Sequence, residues 1–384
     1  MYSLFDILFG IYKYGFVCRR YGDEIKFYDV VNNNFWAQTW KAKTLRETLR
    51  HIKMVITEKD KRELLWTEKR IAYNNMWPKA GQWYSDVQQM LDEWLHEQGI
   101  TQIFEPVKLS EGAKDILFPN AKLNKVFSGI VDIYDELPYR PDEGFNIAWR
   151  SLEIFMNHHR SIAWPKDNDK ATHLMLRTVK ELIMPLVNKD LRVKEMWERF
   201  LSEIPIPVLR FAIMRCFIQH DLAITDKVEK VSERVKDILT KELYADIKAK
   251  YKLEETVKPD ADVLRRSSLL LHKILRGEKV TVNNNEYTVD LEKRLLFMLS
   301  CVLYTYRCER FHGDYFSPFK SDMATLNTYA FSYYLLTFSY VYLWTLIHQF
   351  CEWQKLGEIC SLANILAAAE TMQERMKLMI KNGK

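Results

Sequence analysis

Residues 323–351, MATLNTYAFSYYLLTFSYVYLWTLIHQFC, run without a single Lys, Arg, Asp or Glu. A segment of that length has two stable homes, a bilayer or the interior of a large helical core, because about 20 apolar residues suffice to span a membrane. Its composition favours the core. Asn327, Thr328, Ser332, Thr337, Ser339, Thr345, His348 and Gln349 interrupt it, and tyrosines at 329, 333, 334, 340 and 342 occupy its middle. Tyrosine belts of membrane proteins sit at the two interfaces instead. The expectation is a helix buried on most sides or used in a dimer interface, with no membrane span.

The rest of the composition suits a folded partner for that helix. Of 384 residues 48% are hydrophobic and 28% charged, which excludes disorder over most of the length, and 12 Gly and 11 Pro exclude collagen-like or Pro-rich structure. Residues 144–384 hold 36 basic against 30 acidic side chains, so the net charge of +5 arises there and permits an anionic partner. Cys18, Cys216, Cys301, Cys308, Cys351 and Cys360 form no CxxC pair and no secreted-scaffold spacing, which reads as reduced thiols in a cytoplasmic protein. The apolar start MYSLFDILFG is broken by Asp6 and has neither a basic leader nor a cleavage site, so it does not read as an export signal.

Two domains are expected, 1–143 and 144–384. The first opens with KYGFVCRR, EIKFYDVV, the turn-like NNN at 32–34, FWAQTW and then KAKTLRETLRHIK, a strand, strand, helix order that makes a small α+β module. Helical patterns follow at 58–75 and 85–98, the second started by Ser85 with Gln88 and Gln89 and stopped by Gly99. Residues 100–143 read as irregular, punctuated by Pro106, Gly112, Pro119, Gly129, Pro138, Pro141 and Gly144. Beyond them the apolar period is helical at 145–161, 169–187, 191–203, 207–221, 226–251, 260–276, 291–311, 323–353 and 358–381. KVTVNNNEYTVD inserts a β-hairpin turned at Asn283–Asn285. The fold class is mainly α.

No P-loop, GxGxxG, HExxH or GxSxG occurs, which removes the phosphate cradles and hydrolase elbows. His158 and His159 are adjacent, so on a helix they point about 100° apart and cannot chelate together. The segment LLFMLSCVLYTYRCERFHGDYFSPFKSD at 295–322 is different, for a long apolar helix there presents Arg307, four residues, then His312 and Gly313. The glycine marks a helix end, where a fraying last turn brings both side chains to one cleft.

Arg–x4–His–Gly at the end of an apolar helix, followed by a loop and another long apolar helix, resembles the HEPN superfamily, helical domains named for higher eukaryotes and prokaryotes nucleotide-binding. FNIAWRSLEIFMNHH at 145–159 is similar to that family's first long helix, so the resemblance covers roughly residues 145–350. It implies a HEPN-like bundle. Many members are metal-independent endoribonucleases that act as dimers, some as toxins or antiviral-defence effectors, while others bind nucleotides or serve as scaffolds. Carried over, Arg307 and His312 are the catalytic pair, RNA is the substrate, no cofactor or metal is required, and a homodimer forms through the helices at 291–311 and 323–353, with a regulatory protein as a further partner. The position after the arginine, often polar in active members, is Cys308 here.

The chemistry is coherent in its own terms. Metal-free RNA cleavage needs a base for the 2′-hydroxyl proton, an acid for the leaving 5′-oxygen and a fixed cation for the charge on the phosphorane. Imidazole titrates near neutral pH and guanidinium forks onto phosphate. On the helix at 145–161, Asn146, Arg150, Glu153 and Asn157 fall at i, i+4, i+7 and i+11, a polar stripe able to line the cleft, with Glu153 orienting Arg307 and the others touching substrate. Arg310 is the nearest further phosphate contact. Arg265, Arg266, Arg276, Lys279, Lys293, Arg294 and Lys320 could add others, and Tyr304, Tyr306, Tyr315 and Phe316 could stack on bases, although such residues more often decorate solvated faces or complete a core. Two other functions fit the same chain: a catalytically inactive scaffold that associates through its aromatic helix, or a nucleic-acid-binding regulator whose recognition lies in residues 1–55.

Overall fold

The computed structural model describes residues 16–21, 24–29, 39–41, 85–165, 171–218, 225–253, 259–311, 317–320 and 324–382, and the chain divides into two compact units. The smaller comprises residues 1–90 with 318–324. It contains an antiparallel sheet in the order β1 (Phe16–Tyr21), β2 (Glu24–Asp29) and β3 (Thr39–Lys41), with Phe16 opposite Asp29 and Glu24 opposite Lys41. The helices expected at 41–53 and 58–75 lie outside the described residues. Helix α1 (Asp86–Glu97) starts as its sequence indicates: the Ser85 amide donates to Gln88 Oε1 at 2.8 Å, and the Gln88 amide returns to Ser85 Oγ at 3.4 Å.

The larger unit, residues 91–317 with 325–384, has helices and one hairpin among its described residues. Its first members are α2 (Ala113–Leu117), α3 (Ala121–Asp135) and α4 (Pro141–Ala163). Next, α5 runs from Ala171–Thr178 through a π-helical turn, Val179–Ile183, into Met184–Lys189, and is followed by α6 (Leu191–Ser202) and α7 (Ile206–Cys216). Then come α8 (Thr225–Leu239), α9 (Lys241–Tyr251), α10 (Ala261–Leu275) and the hairpin β4 (Val280–Val282) and β5 (Asn285–Tyr287). The last are α11, which continues from Leu291–Leu296 through the π-helical stretch Phe297–Leu303 into Tyr304–Phe311, α12 (Leu326–Gln354) and α13 (Leu362–Asn382).

Mainly helical architecture thus agrees with the apolar periodicity, and three differences have local causes. Residues 121–135 are a helix where irregular chain is expected. Asn120 caps it by accepting from the Leu123 amide at 3.0 Å, and Gly129, a breaker in sequence terms, faces α4 so closely that a Cβ would collide with Ser151 Oγ. The boundary expected at 143/144 falls inside α4, because Pro141 is a helix N1 residue and Gly144 is a packing residue, its missing Cβ leaving 3.2 Å to Leu336. The helix expected over 226–251 is two, broken at Thr240, whose φ of 81° ends α8 while its hydroxyl accepts from the Leu243 amide at 3.3 Å to start α9. The hairpin turns as its asparagines require, with φ of 48° at Asn283 and 68° at Asn284.

Helix α12 is the axis of the core. It is long and apolar enough to cross a membrane, yet its apolar window is wholly buried among the other helices. Most of its aromatic side chains serve the chain's own interior, with Trp353 exposed near its end. Burial is tolerable because the tyrosine hydroxyls find partners. Tyr333 donates to the Pro138 carbonyl at 2.8 Å and Tyr334 to the Phe200 carbonyl at 3.0 Å. Tyr340 accepts from the Val107 amide at 2.9 Å, and Tyr342 shares a 2.7 Å hydrogen bond with the Thr178 hydroxyl. Thr337 and Thr345 return their hydroxyls to α12 carbonyls, both at 2.8 Å. Burial pushes the pKa of Tyr333, Tyr334, Tyr340 and Tyr342 upward, which keeps them protonated. Tyr334→Phe leaves the Phe200 carbonyl without that donor and is expected to cost about 1 to 3 kcal/mol in urea unfolding at unchanged m-value; a midpoint equal to wild type would refute the clamp.

Candidate functional site

The site lies between α4 and the last segment of α11. Phe145, Ala148, Trp149, Leu152, Phe155 and Met156 form the buried stripe of α4, while Asp142 and Glu143 occupy its first turn, where carboxylates suit the helix dipole. Phe145 meets Tyr306 at 5.3 Å between ring centroids, and Trp149 meets Tyr304 at 6.2 Å, which sets the two helices side by side. Two groups of charged residues then face each other across them.

At the first, Arg307 Nη2 pairs with Glu153 Oε1 at 3.0 Å and with Oε2 at 3.2 Å, and the Trp149 indole N–H donates to Glu153 Oε1 at 3.0 Å. The Arg307 side chain is 21% exposed and that of Glu153 26%, so the pair is partly open to solvent. Arg307 Nε is buried without a hydrogen-bond partner, and its guanidinium lies 4.2 Å from the ring centroid of the half-exposed Phe311. At the second, Arg310 reaches Asp142 Oδ2 at 3.0 Å and Glu143 Oε1 at 2.5 Å. Arg140 pairs with the same two carboxylates at 3.3 and 3.2 Å, and the Asn146 side-chain amide donates to Glu143 Oε2 at 3.0 Å. Asp142 is fully buried and the Arg310 side chain is 5% exposed, so Arg310 is enclosed, while Arg140 and Glu143 form a partly exposed rim.

The polar stripe of α4 is therefore divided. Glu153 meets Arg307 and Asn146 joins the Arg310 group, whereas Arg150 and Asn157 are exposed, Arg150 turning its Nε–H back to the Asn146 carbonyl at 3.4 Å. Arg310, expected as a substrate contact, is a closed ion pair, because two carboxylates one turn away on α4 satisfy it. His312 lies outside the described residues, as do Tyr315, Phe316 and the side chain of Lys320. Arg294 is unavailable as a phosphate contact too: it is held bidentately by Glu198 at 2.6 and 2.7 Å and donates to the Leu275 carbonyl at 3.1 Å. Arg265 and Arg266 with Asp262, Arg276 with Glu278, Lys279 with Glu286 and Lys293 with Asp290 are solvated ion pairs away from the site. Among the described residues no three His, Cys, Asp or Glu side chains are grouped to hold a metal ion.

One cation goes unnoticed in the sequence because its helix, VSERVKDIL, reads as an ordinary solvated face. Arg234 of α8 sits 5.4 Å from the ring centroid of Tyr304 and donates its Nε–H to the Ser300 carbonyl at 3.1 Å. Ser300 belongs to the π-helical stretch of α11, and its carbonyl oxygen has two lone pairs, one of which can accept from Arg234. Burial and then Cys308 push the Tyr304 hydroxyl pKa up, while Arg307 and Arg234 pull it back, so both arginines bear on this tyrosine. No family model, curated protein or solved structure matches this chain.

His159 is structural. It is buried among Phe155, Trp164, Phe350 and Trp353, with ring centroids 4.9 to 6.3 Å away, and burial pushes its pKa down from 6.5 to about 4. Between those values the unfolded chain takes up a proton that the folded one refuses, so stability is complete above pH 6.5 and declines as pH falls toward 4. The slope is about 1.4 kcal/mol per pH unit at most. His158 is lowered by burial and acts in the same direction. His159→Phe preserves the aromatic packing and is expected to reduce the stability loss between neutral and acid pH by about 2 kcal/mol, measured by urea unfolding across that range; parallel pH profiles would refute it.

Proposed function

We propose that the chain is a metal-independent endoribonuclease of HEPN type that works as a dimer. The observation that carries this reading is the Arg307–Glu153 ion pair. The arginine of the Arg–x4–His motif stands on the last turns of a long buried helix and is held from one edge by a carboxylate of the other long helix, itself held by an indole N–H. A guanidinium fixed in this way needs no reorganisation to meet the charge that develops on a phosphorane. His312, five positions on, supplies the group that takes the 2′-hydroxyl proton, and its counterpart in a second copy returns one to the 5′-oxygen. A role as toxin or antiviral-defence effector follows from such an activity.

The scaffold alternative would rest on α12, where most aromatic side chains are buried within the chain and Trp353 is exposed. Incubation of the purified chain with a labelled mixed-sequence RNA in EDTA tests the proposal. Cleavage leaving 2′,3′-cyclic phosphate is expected, reduced about 100-fold or more in Arg307→Ala and abolished in His312→Ala, with both variants melting as wild type does. Intact RNA beside well-folded protein would overturn it, and so would cleavage that persists undiminished in both variants.

A further inference from the structure

The arginines around the last turns of α11 differ in one respect. Arg215 is neutralised by Glu309 at 2.5 Å, Arg307 by Glu153 at 3.0 Å, and Arg310 by Asp142 and Glu143 at 3.0 and 2.5 Å. Arg234 is half-buried, and among the described residues no carboxylate lies within ion-pair distance of it. Glu233 and Asp237 of its own helix are exposed. Its Nε–H is committed to the Ser300 carbonyl and the guanidinium also bears on the Cys301 thiol, and with five N–H donors it retains some for other acceptors. A partly desolvated cation with no counter-charge is costly unless an anion completes it.

Tyr304 is the floor between Arg234 and Arg307. Arg234 lies over its ring, and Arg307 sits one turn along the same helix. Glu153 occupies only the Nη2 atom of Arg307, so that guanidinium also retains donors. Beside them Phe311, 48% exposed, presents a ring already covered on one face by Arg307 at 4.2 Å. One guanidinium over the Tyr304 ring and a second one turn along that helix, with an open aromatic ring beside the second, suit a charged backbone carrying a flat base.

We infer that Arg234 and Arg307 form a clamp for a backbone phosphate of single-stranded RNA, with Tyr304 beneath it and Phe311 as the platform for an adjacent base. The clamp deepens the ribonuclease reading, on which the identity of the strand rests, but the positions of the two cations do not depend on cleavage. Arg234 is the electrostatic half of the clamp and Arg307 the half shared with the reaction. A duplex would bury its base faces and lose the Phe311 contact, which is why a single strand is favoured.

The test measures binding without reaction. A labelled 2′-O-methyl RNA of about 12 nucleotides lacks the nucleophile for cleavage, and its affinity for the full chain is followed by anisotropy as salt is raised from about 50 mM. Arg234→Gln is expected to bind about ten-fold more weakly and to lower the slope of log K against log salt by about 0.7, the value for one single-strand phosphate contact. Arg234→Lys drops the Nε–H bond to Ser300 while keeping the charge, and is expected to retain the wild-type slope. Wild-type affinity and slope in Arg234→Gln would overturn the clamp, as would a wild-type chain that fails to bind at low salt. Equal losses in the Gln and Lys variants with an unchanged slope would assign Arg234 to the π-helical carbonyl alone and overturn it too. Loss of slope in Arg234→Gln with no cleavage of ordinary RNA would uphold the clamp and refute the nuclease.

Discussion

The fold depends on keeping a tyrosine-rich helix dry. Burying α12 takes its aromatic side chains out of water, and that gain is kept where the tyrosine hydroxyls it carries inward find partners. The partners are backbone groups of other segments: the Pro138 carbonyl before α4, the Phe200 carbonyl within α6 and the Val107 amide before α2, with the Thr178 hydroxyl at the π-helical turn of α5. A leucine-only helix would bury equal area without saying which neighbour goes where. Hydroxyls at defined heights along α12 do say so, because each accepts only a backbone that arrives at the right level.

That constraint reaches the site through α4. Gly144 lets α4 approach Leu336 of α12, and Gly129 of α3 admits Ser151 from its other side. With two faces of α4 thus occupied, its remaining polar face is turned to α11, and Asp142, Glu143 and Glu153 are carried to Arg310 and Arg307. The two ion-pair groups then differ by depth rather than by chemistry. Near the start of α4 Asp142 and Arg310 are buried, with Glu143 at the rim; three turns later both members of the pair are partly open to solvent. The same interaction is architecture in one place and a prepared cation in the other.

How much of this could be seen beforehand follows the range of the interactions involved. The charge-free run at 323–351 can only be interior or membrane, and the paired positive φ of Asn283 and Asn284 is a local property of those residues; both are legible. The stripe on α4 brings Glu153 forward as a partner of Arg307, as the structure has it, yet it enrols the exposed Arg150 and Asn157 equally, since periodicity defines a face and not what lies opposite. Helix α3 is missed because Gly129 looks like a breaker until the neighbouring Ser151 is known. The break at Thr240 is invisible for the opposite reason: the apolar period continues across it, and no local signal announces a positive φ on a β-branched residue. Arg310 and Arg234 are the extreme case, one sealed by carboxylates about 170 positions earlier and the other without any among the described residues.

The contrast between those two arginines bears on how such a site holds charge. A cation fully neutralised within the fold stabilises the chain but has little left for an incoming phosphate, because binding would first have to break an existing pair. A cation with no counter-charge attracts phosphate strongly but costs folding energy, and it must be supported by dipoles instead of a full negative charge. The π-helical stretch of α11 provides one such dipole, the Ser300 carbonyl, at the place where Arg234 arrives. The π-helical stretch of α11 and an arginine on α8 without a carboxylate among the described residues meet at this carbonyl: it orients the guanidinium beside Tyr304.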